Sequence, residues 1–397
     1  MNYTKKKTII TNKTNKTNKI KTQQKNYTNK TNKTNKNIIK ILTLVKEYYK
    51  EKNDKIRVNS YEKALYQISK WEKPIIKGSD LTHLDGIGKG MVEKIDIILR
   101  SGTLPILDTI KLNKTLKTIK FTSILGFGPA FVNELITKHN ARTIQDVKHL
   151  VNTNKIKLTH IQELGLNYYK DLQSLIPRDE ITYLTNQLKE LINNTTYTML
   201  VSGSYPSFTK HYSKDIDILI VKHSNTKEKD TIYSGDLKLI INKIKNKSVN
   251  KSVNKSISKS VYKNKMDLEI LSLGKTKFMG LIKSPISNKM RHLDIRLVTM
   301  DELPYAYLYY SSGKMFNKII REKFKKKGYK LNEYGLYKIR ENTVLEKIKL
   351  GDDINGDDDN KKNNKNREMN LLDYITKIEK ELFKIASLDY KTVQERY

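Results

Sequence analysis

The tightest constraint on the fold sits in one stretch, Leu200 to Val221, which reads LVSGSYPSFTKHYSKDIDILIV. An apolar run, Met199-Leu200-Val201, ends in Ser202-Gly203-Ser204. A polar turn follows, and then Asp215-Ile216-Asp217-Ile218-Leu219-Ile220-Val221 has the β-branched composition of a strand. Strand side chains alternate, so Asp215 and Asp217 share one face, roughly 7 Å apart. Carboxylates so close repel each other, which divalent cations between them relieve. Gly203 lets a backbone approach a phosphate, and Ser204 offers it a hydroxyl and an N–H. A surface hairpin with two solvated aspartates is the alternative at this point.

A second strand pattern, Arg291-His292-Leu293-Asp294-Ile295-Arg296-Leu297-Val298, puts Asp294 and Arg296 on one face. Three carboxylates on neighbouring strands are what two-metal phosphoryl transfer requires. For Asp294 alone, an ion pair with Arg291 or Arg296 is the competing explanation. The balance of charge supports a polyanionic partner: 77 Lys+Arg against 42 Asp+Glu leave +35 over 397 residues. There is no cysteine, which excludes disulfides, thiolate zinc sites and a cysteine nucleophile. No apolar run approaches the roughly 18 residues of a membrane span, and no signal peptide is visible.

Residues 1–37 repeat Thr-Asn-Lys without an acidic residue and are expected to be disordered, a product of drift toward AT-rich codons. Ile38 to Tyr49 and about Asn59 to Trp71 have helical periodicity, the second stopped by Lys73-Pro74. Leu84-Asp85-Gly86-Ile87-Gly88 then leads into a helix, and Ile124-Leu125-Gly126-Phe127-Gly128-Pro129 repeats the arrangement. Such turns expose N–H groups at a helix N-terminus and hold a phosphate without reading bases. Two of them in one basic chain suggest a clamp on two backbone segments of DNA; two ordinary helix–helix turns are the alternative. Leu158 to Leu175 reads as helical or turn-rich, and Ile176-Pro177-Arg178-Asp179-Glu180 opens a helix to about Leu191. Further on, a helix spans about Gly235 to Lys245, and Met266–Leu271 and Lys275–Lys283 read as strands. Tyr305 to Gly328 reads as a helix broken at Ser311-Ser312-Gly313, and Leu371 to Ala386 is helical. Residues 246–265 and 351–368 read as insertions.

The chain resembles the X family of DNA polymerases, most nearly its beta branch. The likeness is carried by Gly86-Ile-Gly88 with Glu93-Lys94-Ile95-Asp96, Gly126-Phe-Gly128-Pro129, Leu166-Asn-Tyr168-Tyr169, Ile176-Pro177-Arg178-Asp179-Glu180 and Gly203-Ser204 with Asp215-Ile-Asp217. It continues in Gly274 to Gly280, Asp294-Ile295-Arg296-Leu297, Tyr310-Ser-Ser-Gly313 with Phe316-Asn317-Lys318, and Asn332-Glu333-Tyr334. The resemblance implies a multidomain α+β fold. After the arm (1–37) come a helical lyase domain with the first helix-hairpin-helix (38–108) and a helical DNA-binding subdomain with the second (109–178). A nucleotidyltransferase β-sheet palm (179–301) and a C-terminal α/β nucleotide-selection subdomain (302–397) follow.

It also implies template-directed filling of short gaps in base excision repair. Asp215, Asp217 and Asp294 would bind two Mg²⁺, with Mn²⁺ as the substitute. Gly203 and Ser204, helped by Ser213, would meet the triphosphate. Tyr309, Tyr310, Gly313 and Asn317 would surround the incoming nucleotide. Gly86, Gly88, Gly126, Gly128, Arg296, Lys318 and Arg321 would face DNA. Lys94 would form a Schiff base with a 5′-deoxyribose phosphate, supported by Arg57, Tyr61, Lys63 and Glu93. The implied partners are gapped or nicked double-stranded DNA and deoxynucleoside triphosphates, with no membrane and a monomeric chain. The nucleus is the expected compartment in a cell, and a replication compartment if the source is a large DNA virus. No BRCT-like domain precedes the first helix, so recruitment to ligase complexes is not expected.

Several positions depart from the family pattern. Pro206 and Ser207 stand where it has two arginines, and Leu175 where it has another. Lys210, His211 or Lys214 is the expected compensation, with weaker nucleotide affinity or altered fidelity as the consequence. His292 takes the place of the arginine that supports the third aspartate, and Tyr-Ser-Ser-Gly replaces Tyr-Phe-Thr-Gly. A template-independent nucleotidyltransferase and a non-catalytic DNA-binding scaffold are the alternative functions.

Overall fold

The computed structural model describes residues 35–50, 52–113, 121–209, 211–223, 235–246, 267–341, 343–351 and 364–397. Residues 1–34, almost all of the expected arm, lie outside the described residues, as do 247–266 and 352–363 of the two expected insertions. The chain divides into two compact units, Met1–Lys117 and Thr118–Tyr397.

The first unit is helical: α1 (35–50), α2 (Lys55–Ser69), a 3-10 turn (Gly78–Leu81), α3 (Lys89–Ser101) and α4 (Ile106–Asn113). Helix α1 starts three residues before the expected Ile38. Asn35 explains this, since its amide donates to Lys73 O at 2.9 Å and accepts from Ile75 N at 3.1 Å. Helix α2 starts at Lys55 rather than Asn59 because Asp54 caps it, accepting the Arg57 N–H at 2.9 Å. Ile38, Leu42 and Val45 of α1 pack with Ala64 and Ile68 of α2 and Ile95 and Ile98 of α3 in one core.

The second unit begins with α5 (Pro129–Thr137), α6 (Ile144–Asn152), α7 (His160–Asn167) and α8 (Tyr169–Gln173), packed around Phe121, Phe127, Leu135 and Val147. A two-residue strand β1 (Ile176–Pro177) precedes α9 (Arg178–Ile192). Then come β2 (Tyr197–Val201), β3 (Tyr212–Ser213), β4 (Asp215–Lys222), α10 (Asp236–Asn246), β5 (Leu268–Leu273), β6 (Lys277–Lys283) and β7 (Met290–Val298). Five strands form a sheet in the order β2-β4-β7-β6-β5, in which β4 and β7 are parallel and the other pairs antiparallel.

Alternation along these strands sorts the side chains. Ile216, Ile218 and Ile220 of β4, with Leu293, Ile295 and Leu297 of β7, join Ile181, Leu184 and Leu188 of α9 and Ile240 and Ile244 of α10 in the largest core. The opposite face carries Asp215, Asp217, Leu219 and Val221 on β4, and Asp294, Arg296 and Val298 on β7. Its far end is closed by α11 (Leu303–Tyr310) and α13 (Asn364–Ile385), where Leu219, Val221 and Val298 meet Tyr307, Leu371 and Ile375. The carboxylates occupy the other end.

Between those helices lie α12 (Lys314–Lys326) and a three-stranded antiparallel sheet of β8 (Tyr329–Asn332), β9 (Gly335–Arg340) and β10 (Thr343–Ile348). Phe316, Ile320 and Phe324 of α12 pack on Ile378, Leu382 and Phe383 of α13. Helix α13 starts at Asn364, inside the segment expected to be an insertion. The sequence of its opening residues, Asn364 to Glu368, contains no apolar residue, which hides the periodicity, yet Glu368 pairs with Lys189 at 2.7 Å.

A buried ion pair fixes distant segments of this unit. Arg291 of β7 meets Glu180 of α9 at 2.8 Å, both side chains 3% exposed, and also donates to Ser174 O at 3.2 Å. Burial pushes the Glu180 carboxyl up, but hydrogen bonds from Arg291, Ser287 and Ser284 outweigh it and hold it below the ordinary range. The pair's contribution is therefore complete above the unfolded glutamate value and is lost as pH falls through the lowered folded value. Arg291→Met leaves Glu180 buried alone and is expected to cost about 3–5 kcal/mol, while Arg291→Met/Glu180→Leu returns to within about 1–2 kcal/mol of the parent. Urea denaturation of the three chains at pH 7 checks both values.

Candidate nucleotidyl-transfer site

Parallel pairing of β4 and β7 sets Asp217 directly beside Asp294 and Asp215 beside His292. Asp215 is exposed, and Asp217 and Asp294 are half-buried. Asp217 and Asp294 line a cleft with Ser202, Lys277, Arg296 and Tyr310. Burial, with Asp215 and Asp294 adding to it and Lys277 opposing, pushes Asp217 up to about 7. Burial raises Asp294 as well, opposed by Lys277, reinforced by Asp215 and opposed again by His292.

The arginines that could have neutralised this cluster are engaged elsewhere. Arg291 holds Glu180, and Arg296 donates to the Tyr334 hydroxyl at 2.6 Å. The ion-pair explanation of Asp294 therefore fails among the described residues. The protein itself leaves the three carboxylates mutually repulsive, which suits divalent cations with oxygen ligands. Among the described residues no three such side chains already converge into a closed metal-ligand group.

The turn after β2 is shaped around Asp217. Gly203 has φ +68°, and a Cβ there would stand 2.1 Å from Asp217 Oδ2. The Ser202 N–H donates to Asp217 O at 2.9 Å. Ser204 and Ser213 share a hydroxyl hydrogen bond of 2.9 Å, because β1–β3 pairing sets Ser213 opposite Ile176. Arg178 supplies a cation to this turn, its guanidinium lying 4.2 Å from the Tyr205 ring and 4.3 Å from the Phe208 ring. Of the expected compensators, His211 and Lys214 are exposed, and Lys210 lies outside the described residues.

Tyr309 and Tyr310 end α11 with their rings edge to face, 5.0 Å apart. Burial, opposed by Arg296, pushes the Tyr310 phenol up to about 12. Asn317 donates to Tyr309 O at 2.7 Å and to Ser312 O at 3.2 Å, so it braces the break between α11 and α12. Gly313 caps α12. Arg321 stacks on Tyr309 at 4.5 Å and pairs with Glu333 at 3.5 Å, and Lys318 is half-buried on the same helix. Burial and the Asp217 carboxylate both push the Tyr397 phenol up.

In the first unit a cleft of about 270 Å³ is lined by Lys94, Arg57, Tyr61, Tyr49, Ser60 and residues 88–91. Lys94 Nζ donates to Gly90 O at 2.8 Å. Two expected supporting residues lie elsewhere: Glu93 is exposed and does not line this cleft, and Lys63 packs under Gly86. Gly86 (φ +86°) and Gly126 (φ +80°) turn their hairpins alike, and Gly88 and Gly128 cap α3 and α5. A Cβ on Gly88 or Gly128 would meet nothing within 4 Å, so the backbone at both helix starts is open to a large ligand.

Sequence reasoning gave no role to Lys277 or Ser202. Lys277 reaches the cleft only through the β6–β7 register, which sets it opposite Arg296. Ser202 is 1% exposed, and its Oγ has no hydrogen-bond partner among the described residues.

The sheet, its paired carboxylates and the Gly-Ser turn define a nucleotidyltransferase palm. Consecutive family models match along the chain: a helix-hairpin-helix domain over residues 33–104, the fingers domain of DNA polymerase lambda over 119–173, the DNA polymerase beta palm over 175–300 and the DNA polymerase beta thumb over 306–397. The chain belongs to the X family of DNA polymerases. It is 27% identical over 304 residues to DNA polymerase lambda of Arabidopsis thaliana, covering 76% of this chain and 54% of that one. Identity to DNA polymerase lambda of Rattus norvegicus is 24% over 303 residues, covering 76% and 48%. Identity to DNA nucleotidylexotransferase of Xenopus laevis is 24% over 319 residues, covering 76% and 62%. The chain thus spans about half to three-fifths of the length of these relatives.

Two outcomes follow from the crowding at Asp217. Gly203→Ala, strained in φ and in contact with the carboxylate, is expected to lower stability by about 1–3 kcal/mol, read by denaturant unfolding. Asp217 has a folded value above its unfolded one, so the metal-free fold loses stability as pH rises from the ordinary carboxylate range through about 7 and levels off above it. Asp217→Asn is therefore expected to stabilise the metal-free chain by about 1–3 kcal/mol at pH 8 and by little at pH 4, measured in a chelator buffer.

Proposed function

We propose that this chain is a template-directed DNA polymerase that fills short gaps in duplex DNA during base excision repair, and that its first unit removes 5′-deoxyribose phosphate. The observation that carries the polymerase reading is the juxtaposition of Asp217 with Asp294 across β4 and β7, beside the Gly203–Ser204 turn.

Asp215, Asp217 and Asp294 are the residues that would hold two Mg²⁺ or Mn²⁺ ions. When bound, such ions lower the pKa of a primer 3′-hydroxyl and neutralise the triphosphate and leaving pyrophosphate. Ser204 and Ser213 offer hydroxyls to the phosphates, and Arg178 adds a cation next to the same turn. Tyr310 lines the cleft beside the carboxylates and shapes the space for the sugar. Arg321 and Lys318 on α12 face the template side. The N-terminal hairpin and the Gly126–Gly128 hairpin each hold a DNA backbone phosphate.

For the lyase step, the Lys94 amine attacks the C1′ aldehyde and water leaves, giving an imine. Loss of the C2′ proton to a base then expels the downstream 5′-phosphate, and water hydrolyses the imine to restore the amine. Arg57 and the open N–H groups of residues 88–90 bind the sugar's phosphate in the same cleft.

Purified chain, Mg²⁺ and a one-nucleotide gapped duplex with each deoxy- or ribonucleotide test the polymerase reading. Incorporation of the complementary deoxynucleotide is expected, falling roughly a thousandfold or more in Asp217→Ala. Addition that ignores the templating base would favour a template-independent transferase. No incorporation, with DNA binding equal in the parent and Asp217→Ala, would favour a binding scaffold. Borohydride treatment on a 5′-deoxyribose-phosphate end is expected to yield a covalent adduct that Lys94→Ala abolishes; equal trapping by that variant removes Lys94 from the role.

A further inference from the structure

Far from the carboxylates in sequence, the segment Val393–Tyr397 packs against elements that flank the site. Arg396 is fully buried, and its two terminal nitrogens bond the two oxygens of Glu379, which is itself 1% exposed. Arg396 Nε donates to Lys391 O at 2.8 Å, and the Phe383 and Tyr390 rings lie 5.5 and 5.7 Å from the guanidinium. Each guanidinium nitrogen thus donates to α13 or to the segment leading from it.

The backbone of the same residue faces the other way. Arg396 O accepts the Gly313 N–H at 3.1 Å, and a Cβ on Gly313 would stand 2.8 Å from that oxygen. Residues 394–396 pack against the 205–207 turn that follows Ser204. Val393 sits in the cluster with Leu200, Leu219 and Tyr310. One short segment therefore touches the turn that carries Ser204, the cap of α12 and the apolar wall behind the carboxylates.

A buried ion pair of this kind adds little net stability over well-packed apolar side chains. The pair does tie residue 396, whose carbonyl meets the Gly313 N–H, to α13 and to Lys391 O. The geometry points to Arg396 as a positioning residue: clamped by Glu379, it holds the 393–397 segment as a clasp that fixes the spacing between the Ser204 turn and the start of α12, and so sets affinity for the incoming nucleotide. This inference rests on the polymerase reading above.

Arg396→Met strands Glu379, so the informative variant is Arg396→Met/Glu379→Met, which removes both buried charges and keeps the volume filled. Steady-state gap filling is expected to show KM for the complementary nucleotide raised roughly tenfold. kcat should change less than about threefold, and affinity for the gapped duplex should stay within about twofold. A folded double variant with unchanged nucleotide KM overturns the inference, as does a parallel fall of kcat and DNA affinity.

A second measurement uses the unaltered chain. Hydrogen exchange is followed with a gapped duplex whose primer ends in a dideoxynucleotide, before and after adding the complementary triphosphate. Slower exchange is expected at residues 393–397 together with 311–317. Protection at 311–317 without change at 393–397 overturns the clasp and leaves the polymerase reading standing. If the parent neither incorporates nucleotide nor gains protection anywhere, the polymerase reading itself fails.

Discussion

The second unit is organised around an electrostatic strain that it does not relieve internally. Parallel pairing of β4 and β7 forces Asp217 beside Asp294, with Asp215 two residues away on the same face. Burial then raises Asp217 to about 7. An ordinary sheet would place an apolar residue or a paired arginine there. Here the adjacent arginines are committed to Glu180 and Tyr334, and Lys277 alone among the cleft's cations moderates both Asp217 and Asp294.

The surrounding architecture keeps that strain in place. Alternation sends every isoleucine of β4 to the α9 and α10 side, which anchors the strand so firmly that its aspartates cannot rotate out. The other face is closed by α11 and α13 only beyond Leu219, so the carboxylates stay at an open end where large ligands reach them. The Gly203 turn allows no side chain between itself and Asp217. Ser204, Ser213 and Arg178 then gather around the same edge, held by a two-residue strand pair too short to have a sequence signature.

Much of this was legible in the residues. Asp215, Asp217 and Asp294 announced themselves by strand alternation, and the two Gly-x-Gly turns by the helices that follow them. The helix break at Ser311–Gly313 was visible for the same reason. What escaped were relations set by tertiary register. Lys277 is a lysine among many until β6 is paired with β7. Arg291 and Glu180 are 111 residues apart, and nothing local to either marks a buried pair. The sheet of β8–β10 buries only Leu331, Gly335 and Leu336 of its residues and β10 is nearly all exposed, so it offers little of the apolar alternation that identifies a strand. Glu93 and Lys63 were assigned by likeness of motif, and only the side-chain directions on α2 and α3 show that Arg57 and Tyr61 line the Lys94 cleft while those two do not.

The departures from the family's triphosphate arginines also take a physical form. Pro206 and Ser207 leave the turn without its own cations, while Tyr205 and Phe208 hold Arg178 between them from the neighbouring helix. The most direct test of the central claim is calorimetric titration of Mn²⁺ into the chain bound to a gapped duplex with a dideoxy-terminated primer and the complementary triphosphate, at pH 6 and pH 8 in buffers of different ionisation enthalpy. Binding to a carboxylate cluster that is partly protonated near pH 7 predicts net proton release at pH 6, little at pH 8, and loss of that site in Asp217→Asn. Binding with no proton release at pH 6 and undiminished in Asp217→Asn would contradict the claim that these three carboxylates are the metal site.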